Sequence, residues 1–150
     1  MPTYSKNKKA YHEYKILEEF EAGIVLLGHE VKAIKNGRIS IKGSYARIQN
    51  GEIFLVGATI PPYQPFNTPA DYNEQRKRKL LLKKKQIQYL SSKIEKKGLT
   101  IVPLKVYSIK GKVKIKIGLA KGRKKYDKRQ KIKEKAAKRE MKRKLKKFNQ

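Results

Sequence analysis

Lysine and arginine residues recur beside aromatic rings at three places in the sequence. Tyr11 and Tyr14 lie near two lysines, Tyr63 and Phe66 precede the basic run RKRK, and Tyr126 stands inside a longer basic run. Bases can stack on such rings while the cations pair with phosphates. Each ring taken singly is also explained by core or loop packing, and Tyr63 and Phe66 by pinning of their loop. The combination predicts a nucleic-acid partner without naming it.

Residues able to catalyse a reaction are poorly represented. The densest acidic group is Glu13, Glu18, Glu19 and Glu21. Metal-dependent phosphate chemistry needs carboxylates gathered around one ion, whereas neighbouring strand residues such as Glu18 and Glu19 point to opposite faces. We interpret the group as solvated charges that balance basic neighbours. Neither histidine lies near a serine in a nucleophile motif, and no phosphate-cradling glycine loop occurs. The sequence predicts no catalytic site, no metal and no cofactor.

Glu30, in GHEVKAI, is an acid in basic surroundings. Alternation with Val31 and Ala33 predicts that Glu30 and Lys32 share the outward face of a strand. An acid there opposes phosphate binding unless it accepts hydrogen bonds from a base or a ribose hydroxyl. An ordinary cross-strand ion pair with a lysine is the other interpretation, and composition alone favours it.

The overall charge supports a polyanionic partner. Forty Lys and Arg residues face twelve Asp and Glu residues, which gives a formal net charge of +28 in 150 residues. Such a charge attracts polyanions over about 10 Å or more. A membrane surface is disfavoured because the chain has no Trp and no apolar run of spanning length. The sequence has no Cys, and its start lacks an apolar signal segment, so we expect a cytoplasmic location.

The charge distribution divides the chain near Gly122. Residues 121–150 hold sixteen basic and three acidic residues, and after Gly122 no Gly or Pro occurs. We predict a folded domain over residues 1–121 and a basic tail over residues 122–150.

Glycine-containing turns predict antiparallel hairpins in the folded part. Asn-Gly pairs at 36–37 and 50–51 supply the positive φ angles that tight turns need. The predicted flanking strands are residues 24–35, 39–49 and 52–60, with a bulge at Gly43. A further hairpin is predicted around Lys110 and Gly111, and its second arm alternates lysines with Val113, Ile115 and Ile117.

The remaining segments complete the predicted fold. The Pro-rich stretch PPYQPFNTPADYN predicts an extended loop, and the capping-box spacing of Asp71 and Glu74 predicts one long or bent helix that ends at Gly98. The segment EYKILEEF predicts a first strand, whereas residues 3–10 have the composition of a mobile segment. The prediction is a mainly β fold: a small closed antiparallel β-barrel of the oligonucleotide-binding (OB) type, with six short strands, flanking helical structure and a basic C-terminal tail.

The order of several segments resembles the small protein B family, also called SsrA-binding protein. The matching segments are NKKAYHEYKILEEFEAGIVLLGHEVKAIKNG, GSYARIQNGEIFLVGATIPPY, RKRKLLLKKKQIQYL, GLTIVPLKVYSIKGKVKIKIGLAKG and YDKR. The resemblance covers nearly the whole chain. It implies a non-enzymatic protein that binds the tRNA-like domain of transfer-messenger RNA (tmRNA, SsrA RNA) and delivers it to stalled ribosomes. Elongation factor Tu is implied as a companion in that complex.

The resemblance also implies functions for particular residues. The residues that fall where the family meets the tRNA-like domain are Asn7, Lys8, Glu30, Lys32, Arg76, Lys77, Arg78 and Lys79. The residues that match the segment near the decoding centre, on small-subunit rRNA, are Gly122, Arg123, Lys124, Lys125, Tyr126, Asp127, Lys128 and Arg129. The tail is implied to be disordered when free and helical in the messenger channel.

The sequence departs from the family pattern at a few positions, namely Gly43, Thr59, Lys83, Gln86 and Tyr126. Tyr126 replaces a common His, and both are flat rings able to stack on a nucleotide. Two other classes of protein remain open. A ribosomal or architectural protein would bind DNA as tightly as a tRNA-like RNA, and a metal nuclease would cleave RNA in the presence of magnesium.

Overall fold

The computed structural model describes residues 2–122 together with positions 139 and 141. Within this part of the chain, the strands are β1 (Thr3–Lys6), β2 (Tyr14–Ile24), β3 (Tyr45–Gln49), β4 (Glu52–Val56), β5 (Arg78–Leu81), β6 (Thr100–Ile109) and β7 (Lys112–Gly122). The helices of the same part are α1 (Lys8–Glu13), α2 (Gly28–Lys35) and α3 (Lys84–Lys97), and a short 3₁₀ helix covers Pro65–Asn67. The prediction of a mainly β fold with helices is confirmed.

The strands of this region form one antiparallel sheet in the order β1-β6-β3-β4-β5-β2-β7. An additional pairing of β6 with β7 joins the sheet into a ring, and β1 pairs with the outer side of β6. The pairings of β7 with β2 and with β6 run along most of its length, whereas β3 and β6 share the single pair Ala46 and Ile101. The ring is therefore held most firmly around β7.

Aliphatic side chains fill the space enclosed by the sheet and covered by α2 and α3. Ile53 and Leu55 of β4, Ile115 and Ile117 of β7, and Leu90 of α3 are fully buried. Burial of each such side chain stabilises the fold by about 1.5–3 kcal/mol. Buried positions alternate with more exposed ones in β4 and over residues 114–117 of β7, as the predicted period of two requires, whereas residues 117–120 of β7 are all buried.

Two of the three predicted hairpin turns are confirmed. Asn50 and Gly51 join β3 to β4 with φ angles of 52° and 76°, and Lys110 and Gly111 join β6 to β7 with φ angles of 50° and 78°. The Pro-rich stretch forms a loop, as predicted, apart from the 3₁₀ helix. Gly98 ends α3 in the left-handed conformation, which confirms the predicted helix end.

The predicted strand over residues 24–35 is wrong beyond Ile24, because residues 28–35 form α2. Glu30, Ala33 and Ile34 are its buried positions, and their spacing of three and four is that of one helical face. Gly37 has a φ of 76°, but it follows the end of α2 instead of turning a hairpin. A glycine with positive φ occurs both in hairpin turns and after the ends of helices, so the Asn-Gly pair does not distinguish a hairpin from a helix end.

Four other expectations about the folded part are also wrong. Residues 3–10 are ordered as β1 and the start of α1, and the structure has seven strands in its described part instead of six. Gly43 lies in a turn before β3, with a φ of 75°, and is not a bulge within a strand. The helix predicted to begin near Asp71 begins at Lys84, because Leu80 belongs to β5.

Candidate nucleic-acid interface

Glu30 is buried at the start of α2, and not exposed on a strand as the sequence predicted. Its side chain has no solvent exposure, and its Oε1 accepts a hydrogen bond from the Leu27 backbone amide at 2.8 Å. This bond satisfies one of the free amides at the helix N-terminus, whose dipole also favours a negative charge. The fold thus uses Glu30 to begin α2 and points its carboxylate inward.

Two arginines meet this carboxylate. Arg78 of β5 donates from Nε to Oε2 at 3.0 Å and from Nη2 to the same oxygen at 2.6 Å. Arg76, just before β5, donates from Nε to Oε2 at 3.1 Å and from Nη2 to Oε1. Arg78 is fully buried, whereas 28% of the Arg76 side chain is exposed. A buried charge is tolerated when it is paired in this way.

Tyr72 completes what we call the carboxylate cluster: Glu30, Tyr72, Arg76 and Arg78. Its hydroxyl lies 2.9 Å from Glu30 Oε2 and 2.8 Å from the Ile60 carbonyl oxygen, either of which can accept its proton. The remaining donors of Arg78 reach the carbonyl oxygens of Ala58 and Glu74, both at 2.9 Å. These bonds fasten both ends of the Pro-rich loop to the cluster.

The cluster shifts two pKa values in opposite directions. Burial alone raises the pKa of Glu30, but hydrogen bonds from Arg76, the Leu27 amide and Arg78, with the charge of Arg78, outweigh burial and lower the pKa to about 2. Burial and the hydrogen bond to Glu30 raise the pKa of Tyr72 to about 12. At neutral pH the cluster therefore holds an ionised carboxylate and a neutral phenol.

Exposed lysines surround the cluster. Lys77 and Lys79 alternate with the two arginines and point to solvent. Lys77 Nζ lies 4.3 Å from the ring centroid of Phe54, and Lys79 Nζ lies 3.5 Å from Glu52 Oε1. On α2, the exposed Lys32 has its Nζ 6.0 Å from the Tyr63 ring centroid. We call Arg76–Lys79 the basic strip; its exposed members are Arg76, Lys77 and Lys79.

Asn7 and Lys8 lie elsewhere on the molecule. Asn7 is buried: its Nδ2 donates to the Pro103 carbonyl oxygen at 2.9 Å, and its Oδ1 accepts from the Ala10 amide at 3.2 Å. It therefore caps α1 and anchors it to β6. Lys8 is exposed and begins α1. Among the described residues, no hydrogen bond or ion pair joins this region to the carboxylate cluster.

A shallow cleft beside α1 gathers more cations. The side chains lining it include Lys6, Lys8, Lys105 and Lys116, with Tyr11 and Glu19. Glu19 Oε2 lies 3.7 Å from Lys116 Nζ, and the neighbouring Glu21 accepts a 2.5 Å hydrogen bond from Tyr107. Glu19 is therefore a surface charge balanced by a basic neighbour, as predicted, whereas Glu21 is bound by a phenol. Across residues 2–122, no group of His, Cys, Asp and Glu is suited to hold a metal ion.

The sequence did not identify every member of this interface. It missed Tyr72 as a partner of Glu30, and it missed the cleft lysines Lys6, Lys105 and Lys116. Lys116 belongs to the alternating pattern predicted for the second hairpin arm, but only the strand register brings it opposite Lys105 of β6. Gly122, the last residue of β7, pairs with Tyr14 of β2. The other predicted tail residues, 123–129, lie outside the described residues.

The fold and the site together define a strongly basic, mainly β protein whose exposed cations are suited to bind a polyanion. Within residues 2–122, no helix is long and apolar enough to cross a membrane. The sequence model of the family described as SmpB protein matches residues 4–147. The chain belongs to this family.

Curated relatives and a solved structure agree with the family assignment. An SsrA-binding protein of Syntrophobacter fumaroxidans is 54% identical over 83% of this chain and 77% of its own length. The SsrA-binding protein of Persephonella marina is 52% identical over 83% of this chain and 81% of its own. A solved structure described as "tmRNA-SmpB: a journey to the center of the bacterial ribosome" is 44% identical, with a TM-score of 0.67, over 83% of this chain and 87% of the solved chain.

Proposed function

We propose that this protein binds the tRNA-like domain of tmRNA and delivers it to stalled ribosomes in trans-translation. The observation that carries the proposal is the carboxylate cluster, which holds Arg76 beside Lys77 and Lys79 at the edge of the Pro-rich loop. Membership of the SmpB family and the likeness to the solved tmRNA-SmpB structure support the same function. We further infer that the ring of strands is a closed β-barrel of the OB type.

In this proposal the residues predicted to meet the tRNA-like domain have two different functions: exposed residues contact RNA, and buried residues hold them in position. Lys8, Lys32, Arg76, Lys77 and Lys79 contact phosphates and riboses, because their cationic groups reach solvent. The three buried members of the predicted set act through others: Glu30 and Arg78 position Arg76, and Asn7 positions the start of α1. A direct hydrogen bond from RNA to Glu30 is disfavoured because six donor atoms of this chain already face its two oxygens.

The tail has a separate function in the proposal. Gly122 lets the chain leave the sheet, Arg123, Lys124 and Lys125 meet rRNA phosphates, and Tyr126 stacks on a nucleotide near the decoding centre. The residues that follow are Asp127, Lys128 and Arg129, of which Asp127 caps a helix that forms in the messenger channel. Elongation factor Tu travels with the complex, the protein catalyses no reaction, and it acts in the cytoplasm, where bacterial ribosomes translate.

The proposed site is tested by Arg76→Lys. Lysine keeps the charge but lacks the planar fork that pairs with Glu30, so RNA binding that depends only on charge is retained. We expect about a tenfold loss of affinity for the tRNA-like domain, or about 1.4 kcal/mol, because a lysine that is not fixed by Glu30 is no longer held in position toward the RNA. We expect no loss for a random RNA duplex of equal length. Arg47→Lys, at an exposed position of β3, is the matched control.

Fluorescence anisotropy at a fixed salt concentration measures both affinities. Equal losses for the two RNAs would contradict a specific site at Arg76. If the unaltered protein bound duplex DNA as tightly as the tRNA-like RNA, the architectural class of protein would be favoured instead.

A further inference from the structure

Phe66 is the most exposed large apolar side chain in the part of the chain that the structure describes. Its relative exposure is 102%, so no other residue covers it. The other large apolar side chains that are exposed in that part range from 39% for Tyr89 to 69% for Met141. The sequence left open whether Tyr63 and Phe66 both pin the Pro-rich loop. Tyr63 packs against the core and Phe66 does not.

The turn that carries Phe66 is closed by its own hydrogen bonds. Asn67 donates from its backbone amide to the Gln64 carbonyl oxygen at 3.0 Å and from Nδ2 to Gln64 Oε1 at 2.8 Å. Thr68 Oγ1 donates to the same carbonyl oxygen at 2.8 Å. Pro65, in the first turn of the 3₁₀ helix, restricts the backbone further. The ring is therefore presented to solvent by a constrained turn.

The loop that carries this turn belongs to the same surface as the basic strip. Tyr63, three residues before Phe66, lies under the ammonium group of Lys32. At the other end of the loop, Tyr72 and the Glu74 carbonyl oxygen are bound to the carboxylate cluster, and Arg76 follows two residues later. Cationic side chains thus lie at both ends of the loop that carries the exposed ring, and basic and aromatic side chains together are the combination used to bind unstacked bases.

We propose that Phe66 stacks on an unpaired base of the bound RNA. The inference rests on the proposed function, because it takes a structured RNA with unpaired nucleotides as the ligand. A phenyl ring has no hydrogen-bonding group, so it binds any base through its flat face and adds affinity without reading sequence. Stacking is also insensitive to salt, whereas the neighbouring lysines contribute through phosphates and counterion release.

The absence of Trp from this chain allows a direct test. In Phe66→Trp the new indole is the only one in the protein, and stacking on a base quenches its fluorescence. We expect quenching on addition of the tRNA-like domain of tmRNA, along the same titration curve that anisotropy of the labelled RNA gives. Tyr45→Trp, at an exposed position of β3, is the matched control and should show little change. Heparin, a polyanion without bases, should bind Phe66→Trp without quenching it.

Affinity provides the second measurement. Phe66→Ala should lower affinity for the tRNA-like domain about 5- to 150-fold, as expected for one stacked base, with an unchanged slope of log K against log salt concentration. Phe66→Leu should not restore the affinity, whereas Phe66→Trp should. Because the native ring touches nothing, the variants should have the thermal stability of the parent protein.

The outcomes separate this inference from the proposed function. If the parent protein binds the tRNA-like domain but Phe66→Ala binds equally well, or if heparin quenches Phe66→Trp as RNA does, the stacking inference is overturned and the proposed function stands. If the parent protein has no preference for the tRNA-like domain over a duplex, both are overturned.

Discussion

At the scale of single residues, Glu30 links the stability of the fold to the proposed RNA interface. Its carboxylate is the common acceptor for Tyr72, Arg76 and Arg78, which come from the Pro-rich loop and β5. An exposed glutamate on a basic surface would repel RNA, but a buried one holds two arginines in fixed positions while leaving one partly exposed. The same ion pairs that stabilise the fold therefore shape the proposed interface.

The pKa of Glu30 predicts how stability depends on pH. Its value in the folded protein is about 2 against an ordinary value of 4.5. A lowered pKa contributes stability that is fully present above about pH 4.5 and is lost as pH falls toward 2. We expect Glu30→Gln to lose about 3 kcal/mol at pH 7, with the difference between the two proteins shrinking as pH falls below 4.5.

Urea unfolding from pH 2 to pH 7 measures this difference. Glu52→Gln is the control, because Glu52 pairs with Lys79 at a half-exposed site, where a change of less than about 1 kcal/mol is expected. Parallel stability curves for the parent protein and Glu30→Gln would show that the carboxylate is not coupled to the arginines.

The raised pKa of Tyr72 predicts the opposite pH dependence, a loss of stability at high pH. Because its pKa is raised to about 12 from an ordinary value of 10, its contribution to stability is fully present below pH 10 and is lost as pH rises through 12. Tyr72→Phe should remove one late-ionising phenol from an ultraviolet titration of the nine tyrosines. A titration in which only an early phenol disappears would mean that Tyr72 is not bound to Glu30.

At the scale of elements, the hairpins were predictable and α2 was not. The turns at 50–51 and 110–111 are local, and their residue types and flanking alternation agree. The segment of α2 is equally compatible with alternation, and its helical face becomes evident only when the position of the core is known. The two arginines that bind Glu30 lie 46 and 48 residues away, so no local pattern could reveal the pairing.

Two glycines in comparable open surroundings should respond oppositely to alanine. Gly98 ends α3 with a φ of 62°, and a Cβ there would meet no atom within 4 Å, so only backbone strain opposes Gly98→Ala. We expect a loss of about 1 kcal/mol. Gly28 begins α2 without a positive φ and is equally open, so Gly28→Ala should raise stability by up to about 1 kcal/mol. Thermal unfolding measures the stability of both variants against that of the parent protein. Destabilisation by both substitutions would contradict the assigned helix ends.

At the scale of the whole molecule, the structure specifies where the folded part can be cut. Lys121 and Gly122 still pair with Lys15 and Tyr14 of β2, so a chain ending at Ala120 would remove part of the sheet together with the tail. A chain ending at Gly122 removes only residues 123–150, which carry fifteen basic and three acidic residues. Comparison of this chain with the full protein therefore separates the tail's function from the stability of the sheet.

The chain ending at Gly122 should unfold at nearly the temperature of the full protein and keep its preference for the tRNA-like domain over duplex RNA. Its affinity should depend less steeply on salt, because the slope of log K against log salt falls by about 0.7–0.9 for each phosphate that the protein no longer neutralises.

The chain ending at Gly122 should fail to support peptide tagging on stalled ribosomes in a reconstituted translation system. Replacement of Tyr126, Asp127, Lys128 and Arg129 by Ala in the full protein should also abolish tagging at little cost in RNA affinity, because most of the tail's charge remains. If the truncated chain tagged stalled peptides at the rate of the full protein, the tail would contribute only non-specific attraction to RNA, and its proposed place at the decoding centre would be wrong.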